Sequence, residues 1–192
     1  MDKSDQSQYD ISKYFKPWVA VDVIIFTILE DKLNILLIRR AIPPFENQWA
    51  IPGGLLRVNE SLDETAKREL FEETNVKDVY LEQLYSFGKP GRDPRGQVIS
   101  VSYFALMPPD KVGQIKASTD AREVRWFAID KLPKLAFDHR RIVEYALKRL
   151  RWKLEYTNVV YSLLDEEFTL TDMQKIYEII FNRRFDKRNF RK

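Results

Sequence analysis

Residues 54–76 read GLLRVNESLDETAKRELFEETNV, a glycine turn followed by a helix-forming pattern around which the rest of the chain is organised. Ser61, followed three residues later by Glu64, has the pattern of a capping box, in which each side chain bonds the backbone N–H of the other residue. Apolar side chains recur at four-residue steps after it: Leu62, Ala66 and Leu70. The stretch therefore predicts a helix over residues 62–74 that buries one apolar stripe.

Three carboxylates project from one side of this predicted helix. Glu69 lies three residues before Glu72 and four before Glu73, so all three fall within one turn. Like charges at that spacing repel each other, and the negative end of the helix dipole adds to the repulsion. One interpretation is a solvated acidic face; the other is a bound hard cation such as Mg²⁺, which takes carboxylate oxygens. We favour the second because the cluster is part of a longer pattern.

The longer pattern is Gly54, five residues, Glu60, seven residues, Arg68-Glu69-Leu70, one residue, Glu72-Glu73. It resembles the Nudix box of the Nudix hydrolases, which cleave a nucleoside diphosphate linked to a further group. The family usually has a glycine where this chain has Asn75. Asparagine tolerates the left-handed conformation of a helix C-terminus, so we expect the turn to be preserved.

The resemblance implies a set of site residues. We expect Glu69, Glu72, Glu73 and the carbonyl of Gly53 to bind Mg²⁺ or Mn²⁺, which neutralises phosphate oxygens and lowers the pKa of a bound water. The resemblance further implies that Arg68 and Glu60 form an ion pair that orients the metal-binding carboxylates. An ordinary ion pair between helix and loop is the alternative for that pair.

The general base is left open. One box glutamate, Glu69 or Glu72, can serve, and a carboxylate on another loop is an alternative in this family. Glu123 is our candidate for that alternative because it enters the last predicted strand. A surface charge at a strand start is an equally good interpretation of Glu123.

Substrate recognition is expected from the loop at residues 88–96, GKPGRDPRG. Arg92 and Arg95 on a loop stiffened by Pro and Gly suit bidentate phosphate binding, although a solvated connection is the alternative. The loop and the strand after it are similar to those of Nudix enzymes that hydrolyse ADP-ribose to AMP and ribose 5-phosphate. Three aromatic side chains are candidates for stacking on a base or, equally, for core packing: Trp49, Phe45 and Tyr103.

The remainder of residues 1–137 is rich in strand patterns. Strands are expected at 19–29 and 33–38, joined as a hairpin, and at 49–51, 55–58, 79–87, 98–106 and 124–129. Strands on both sides of one helix indicate a mixed α/β sheet. The resemblance implies the α/β/α sandwich of Nudix domains for residues 1–137, in which 1–17 form an N-terminal extension.

Composition narrows the classes of protein further. The 192 residues carry a mild net charge of +3 and no cysteine, which excludes a disulfide framework, a thiolate zinc site and a cysteine nucleophile. The N-terminus lacks the apolar segment of a secretory signal, and no apolar run reaches membrane-spanning length. We expect a soluble cytoplasmic protein that makes no contact with a membrane.

Residues 138–192 form a second, more basic segment, with 13 Lys and Arg against 9 Asp and Glu. Apolar periodicity predicts a helix over 138–154, with His139 near its start as a structural hydrogen-bonding group rather than a catalyst. A second helix is expected to end near residue 181, with a capping box at 171–174. A third begins at 186.

This order of features resembles the Nudix-related transcriptional regulators, in which a Nudix domain senses ADP-ribose or a sugar-related ligand and a C-terminal winged helix binds DNA. The resemblance implies a homodimer and places Arg188, Arg191 and Lys192 at DNA; a solvated basic tail is the alternative. A winged helix needs the rest of a recognition helix and a β-wing after Lys192, and we expect the chain as given to lack both. We therefore expect a linker helix and a partial winged helix over 138–192, and DNA binding only with a complete module.

Two hypotheses follow. The first is a metal-dependent ADP-ribose pyrophosphatase, which the complete acidic set of the box favours. The second is a regulator that senses ADP-ribose and binds DNA. Both are compatible with one α/β fold carrying a small helical C-terminal extension, because function resides in the site rather than in the fold.

Overall fold

The computed structural model of the chain describes residues 11–75, 77–114 and 121–190. Its seven strands are β1 Trp18–Leu29, β2 Lys32–Arg40, β3 Trp49–Ala50, β4 Gly53–Leu55, β5 Tyr80–Phe87, β6 Val98–Leu106 and β7 Ala121–Ala128. Its four α-helices are α1 Leu62–Thr74, α2 His139–Tyr156, α3 Leu170–Phe181 and α4 Lys187–Phe190. No helix in these ranges has the length and apolar character needed to cross a membrane.

The strands form one mixed sheet in the order β3-β2-β1-β6-β5, with β4 paired to β1 and β7 paired to β2. The β1–β2 hairpin turns at Glu30 and Asp31, which both have positive φ (49° and 58°). That conformation matches the right-handed twist of the strands, so the hairpin closes in two residues. β1 and β6 run parallel from Trp18↔Val98 to Phe26↔Leu106. A parallel pair needs a long crossover connection, which the chain between them, including α1 and β5, supplies.

Side chains that alternate along β1 enter two different cores. Val21, Val23 and Ile25 pack under α1 with Ala66 and Leu70. Ile24 and Phe26 point the other way, into a core that includes these side chains of α2: Ile142, Val143, Ala146 and Leu150. A sheet covered by α1 on one face and α2 on the other confirms the predicted α/β sandwich.

The C-terminal helices pack on α2. Ile176 and Ile180 of α3 share the α2-side core with Leu150 and Leu154, and Arg151 Nε donates to the carbonyl of Ile180 at 2.9 Å. Residues 139–190 thus form a helical C-terminal segment whose first helix, α2, also covers the sheet, and the predicted domain boundary between 137 and 138 stays a prediction.

The predicted capping box of α3 is wrong by two residues. Thr169 is the N-cap, and the side chain of Asp172 bonds back to its N–H at 2.9 Å. The sequence offers two threonines in this stretch, and only Thr169 has a carboxylate three residues later.

Other predicted elements differ from the structure only in their bounds. The helix over 62–74 and the strand over 98–106 are confirmed. The stretch predicted at 55–58 pairs with β1 as Gly53–Leu55 instead. The stretch between β6 and β7 contains a 3₁₀ helix, Pro109–Gln114. Residues 115–120 lie outside the described residues, as do residues 1–10 of the predicted N-terminal extension.

Candidate active site

Two adjacent glycines bring β4 close to β1 and α1. A Cβ atom on Gly53 would collide with the carbonyl oxygen of Val21 and the backbone of Asp22, to which Gly53 is paired. A Cβ atom on Gly54 would collide with the carboxylate of Glu69. At Gly53 the collision is with backbone, so a side chain cannot be accommodated there, whereas at Gly54 a side chain would displace the Glu69 carboxylate from the β4 backbone.

Helix α1 is fixed at both ends. Ser61 and Glu64 form the predicted capping box, and the Tyr103 hydroxyl donates to Asp63 Oδ1 at 2.5 Å. Asn75 is the C-cap in the left-handed conformation (φ 58°, ψ 19°), and its N–H donates to the carbonyl of Phe71 at 2.7 Å. The expectation that asparagine replaces glycine at this turn is confirmed.

Arg68 lies at the centre of the acidic cluster. Its guanidinium donates two hydrogen bonds to Glu60, from Nε to Oε1 at 2.6 Å and from Nη2 to Oε2 at 2.9 Å. Its Nη1 lies 2.5 Å from Glu69 Oε1 and 3.1 Å from Glu72 Oε2. The hydrogen bonds from Arg68 lower the pKa of Glu60 to about 2. The contact implied between Arg68 and Glu60 is therefore present, and a role in orienting metal ligands stays a prediction.

The four predicted metal-binding residues face one cavity of about 880 Å³: Gly53, Glu69, Glu72 and Glu73. Glu69 and Glu73 are only 6% and 5% exposed, and burial raises the pKa of Glu69 despite the neighbouring Arg68. Over the described ranges, no three His, Cys, Asp or Glu side chains are already gathered at metal-holding distance, and Arg68 occupies the space between Glu69 and Glu72.

The chemistry of this donor set fits a hard divalent cation. Carboxylate oxygens and a backbone carbonyl are the ligands that Mg²⁺ and Mn²⁺ prefer. Glu72 is 42% exposed and also contacts Arg57 at 3.3 Å, so its side chain can exchange an arginine for a cation at little cost.

The two loop arginines predicted to bind phosphate are both engaged with carboxylates. Arg92 makes two bonds to Asp138, Nη2 to Oδ1 at 2.6 Å and Nε to Oδ2 at 3.2 Å, and its side chain is 4% exposed. Arg95 makes two bonds to Asp93, at 2.7 and 3.0 Å, and is 37% exposed. Arg92 therefore holds the loop to the start of α2, whereas Arg95 remains accessible in the cavity wall.

Arg40 is a third cavity guanidinium that the sequence did not single out. It donates to the carbonyls of Pro44 and Ile42 at 2.7 and 3.3 Å, and within the described residues no carboxylate pairs with it. Burial and the charge of Arg95 lower its pKa. Both arginines lie over the ring of Phe137, 5.0 and 5.7 Å from its centroid. An anion that enters the cavity would relieve this concentration of positive charge.

Asp22 and His139 were also missed as cavity residues. Asp22 interrupts the apolar run of β1, which is the signal that could have revealed it. Its Oδ2 accepts a short hydrogen bond from the Ser100 hydroxyl. His139 Nδ1 accepts from the N–H of Ile51 at 2.9 Å, which confirms the predicted structural hydrogen bond, and burial lowers the pKa of the ring.

Trp49 and Glu123, like Glu60 and Arg68, do not line the cavity. Trp49 packs edge-on against Phe127, with ring centroids 4.7 Å apart, so core packing rather than base stacking explains it. Glu123 bonds Arg125 and lies 3.7 Å from Arg39, because its position on β7 pairs with Arg39. The structure thus does not bring Glu123 to the box glutamates.

The predicted DNA-contacting residues are only partly described. Arg188 lies in α4, and Arg191 and Lys192 lie outside the described residues. Phe190, the apolar anchor of α4, packs on Tyr177 of α3 at 5.4 Å.

Two family descriptions match the chain, and the NUDIX domain matches residues 18–146. The chain belongs to the Nudix family. The NrtR DNA-binding winged helix domain matches residues 160–192 of this Nudix protein, so the C-terminal segment has a relationship of its own.

Individual relatives of this Nudix protein include an enzyme and a regulator. The ADPR responsive transcriptional repressor NtrR of Acinetobacter baylyi is 39% identical over 190 residues, 97% of this chain and 75% of that protein. The ADP-ribose pyrophosphatase of Methanocaldococcus jannaschii is 40% identical over 152 residues, 79% of this chain and 82% of that protein. Sequence identity therefore does not separate the two hypotheses.

Solved structures of one regulator also resemble the chain. Shewanella oneidensis NrtR complexed with a 27mer DNA gives a TM-score of 0.79 at 34% identity, covering 90% of this chain and 80% of that one. The NUDIX domain of the same Shewanella protein complexed with ADP ribose gives 0.64 at 33% identity, covering 78% and 99%.

Proposed function

We propose that this Nudix protein hydrolyses ADP-ribose, with Mg²⁺ or Mn²⁺, to AMP and ribose 5-phosphate. The observation that carries the proposal is that Gly53, the box glutamates, Arg40 and Arg95 all line one cavity. Carboxylates and guanidinium groups in one cavity suit a metal-bound diphosphate, and the Methanocaldococcus relative named for this activity supports the choice of substrate.

Different residues of the cavity have separate roles in binding the metal ion and the diphosphate. A bound divalent ion supplies charge neutralisation of the diphosphate and a water of lowered pKa. Arg68 contacts both Glu69 and Glu72 and so holds the two carboxylates that would bind the cation. Arg40 and Arg95 would bind the phosphate oxygens.

We assign the general base to Glu69 ahead of Glu123. Glu69 lines the cavity together with Glu72 and Glu73, so a water that enters the cavity can reach a box carboxylate. Glu123 does not line that cavity. A proton removed from the attacking water thus has an acceptor within the box itself.

A direct assay tests the proposal. Purified protein is incubated with ADP-ribose and Mg²⁺, and AMP and ribose 5-phosphate are quantified by chromatography, with EDTA and Glu72→Gln as controls. We expect equimolar products that depend on metal and on Glu72. Unchanged ADP-ribose over a range of metals and pH values would contradict hydrolysis.

A second function is favoured by the C-terminal match to the NrtR winged helix domain. In this case ADP-ribose in the same cavity would control DNA binding by the C-terminal module. Arg183, Arg184, Lys187 and Arg188 place four cations within six residues at the end of α3 and in α4, as phosphate contacts require.

Anisotropy with labelled 27-base-pair duplexes selected from a random pool tests this function. Salt-dependent binding that ADP-ribose weakens would support regulation, whereas binding to every duplex alike without an effect of ADP-ribose would count against it. The same preparations, examined by light scattering, test our further proposal that the protein is a homodimer, as the resemblance implies. We also propose a cytoplasmic location.

A further inference from the structure

Asp22 and His139 face each other at the floor of the cavity with a gap between them. His139 Nε2 lies 3.8 Å from Asp22 Oδ1, beyond hydrogen-bonding distance. The two side chains are only 10% and 6% exposed, and both line the cavity wall. Within the described residues, no group donates a hydrogen bond to Asp22 Oδ1.

The bonds on the far side of each group fix what it presents to the gap. His139 Nδ1 accepts from the Ile51 N–H, so the proton of the neutral ring is on Nε2 and points toward Asp22. Asp22 Oδ2 is taken by the Ser100 hydroxyl, so Oδ1 is the oxygen with acceptor capacity left. The gap therefore has one donor on one side and one acceptor on the other.

A hydroxyl group matches this pair. Its oxygen can accept from Nε2–H while its proton is donated to Oδ1, and one atom about 2.8 Å from each satisfies both. A phosphate oxygen would be repelled by the carboxylate, and an ammonium could not accept from Nε2–H. Asp22 also pairs with Gly53 in the sheet, which places the gap next to the proposed diphosphate position.

We propose that Asp22 and His139 form a hydroxyl-binding subsite that receives a ribose hydroxyl of the ligand next to its diphosphate. This inference rests on the proposed cavity ligand and applies equally to a hydrolase and to a sensor. It makes Asp22 and His139 binding residues that select a sugar-bearing diphosphate over a bare one.

Calorimetric titration in EDTA, which prevents turnover, tests the subsite with two single variants. Asp22→Asn keeps the shape of the side chain and removes the carboxylate. His139→Asn keeps an acceptor for the Ile51 N–H and removes the Nε2 donor. We expect each variant to bind ADP-ribose at least tenfold more weakly than wild type, and inorganic pyrophosphate within twofold of wild type, because pyrophosphate carries no hydroxyl of this kind.

The double variant and a control separate recognition from structure. Because both side chains bind one hydroxyl, the double variant should lose hardly more affinity than either single variant. Thr27→Val, at a buried position of β1 outside the cavity wall, is the control and should keep the affinity for ADP-ribose within about threefold. Thermal melts of all four proteins monitor folding.

Each alternative result overturns the subsite. Unchanged affinity of both single variants, an equal loss for pyrophosphate, or an equal loss in Thr27→Val would assign Asp22 and His139 a structural role only. If wild type does not bind ADP-ribose, the proposed function fails separately. Titration of Asp22→Asn with ribose 5-phosphate then decides the subsite, and affinity equal to that of wild type overturns it.

Discussion

Arg92 and Asp138 are joined by two hydrogen bonds across 46 residues of sequence, at 2.6 and 3.2 Å. The pair ties the loop between β5 and β6 to the residue that precedes α2. Asp138 is the N-cap residue of α2 but makes no side-chain capping bond, because its carboxylate is bound to Arg92. An arginine that looks like a phosphate ligand in the sequence is thus part of the framework of the cavity.

The first prediction concerns this ion pair. Asp138→Asn removes the close charged partner of the 4%-exposed Arg92 guanidinium and leaves the weaker contact with Asp22 Oδ2 at 3.9 Å, which should lower the free energy of unfolding by about 2 kcal/mol. Urea denaturation measures the change. Arg140→Gln, at a 57%-exposed partner of Glu144, is the control and should change stability by under about 0.5 kcal/mol. Equal effects would remove the structural role assigned to Arg92.

The second prediction concerns Arg40. Arg40→Gln should raise KM for ADP-ribose at least tenfold and leave kcat within about threefold, because the residue binds phosphate in ground state and transition state alike. Arg39→Gln is the matched control, since the Arg39 side chain is 44% exposed and pairs with Glu123 outside the cavity. Steady-state kinetics on both variants distinguishes them. A fall in kcat alone would mean that Arg40 acts on the reacting atoms.

The third prediction tests the proposed metal ligands. Glu72→Gln and Glu73→Gln should each lower kcat by on the order of 10³, because each removes a charged ligand oxygen. Glu144→Gln, on the 66%-exposed outer side of α2, controls for loss of a glutamate elsewhere. Circular dichroism confirms that the fold survives. Turnover like that of wild type in both box variants would refute the metal site.

The fourth prediction concerns acid stability. The pKa of Glu60 falls from 4.5 to about 2 on folding because of Arg68. A lowered folded-state pKa stabilises the protein above pH 4.5, and this contribution disappears as the pH falls from 4.5 toward 2. Urea unfolding at pH 5, 4 and 3 should show a steeper loss in wild type than in Glu60→Gln. Parallel curves would mean that the ion pair contributes nothing.

The fifth prediction concerns the end of α1. Asn75→Ala places a Cβ-bearing residue without a polar side chain at φ 58° and should cost about 1 kcal/mol of stability. Asn75→Gly is the matched variant, and it should be at least as stable as wild type because glycine adopts this conformation freely. Thermal unfolding measures both. A glycine variant less stable than the alanine variant would contradict the assignment.

The fold was largely predictable because its signals are local. The capping box at Ser61, the apolar stripe of α1 and the alternation along β6 depend only on nearby residues, and all appear as predicted. The box glutamates were found for the same reason, since helix geometry fixes their relative positions.

The cavity residues outside the box could not be predicted in this way. Arg92 bonds a carboxylate 46 residues away, and His139 bonds the backbone 88 residues away, so no local pattern reveals either partner. Trp49 and Glu123 were misplaced because strand pairing, which sets the face on which each side chain lies, is not visible in their own surroundings.

Helix α2 begins beside the cavity at His139 and ends beside α3, where Arg151 bonds the carbonyl of Ile180. Its 18 residues form a rod about 27 Å long. A tilt of about 5° at the cavity end would swing the opposite end by roughly 2 Å, as a lever amplifies movement at its pivot. Helix α2 therefore connects the wall of the cavity to the C-terminal helices through one continuous element.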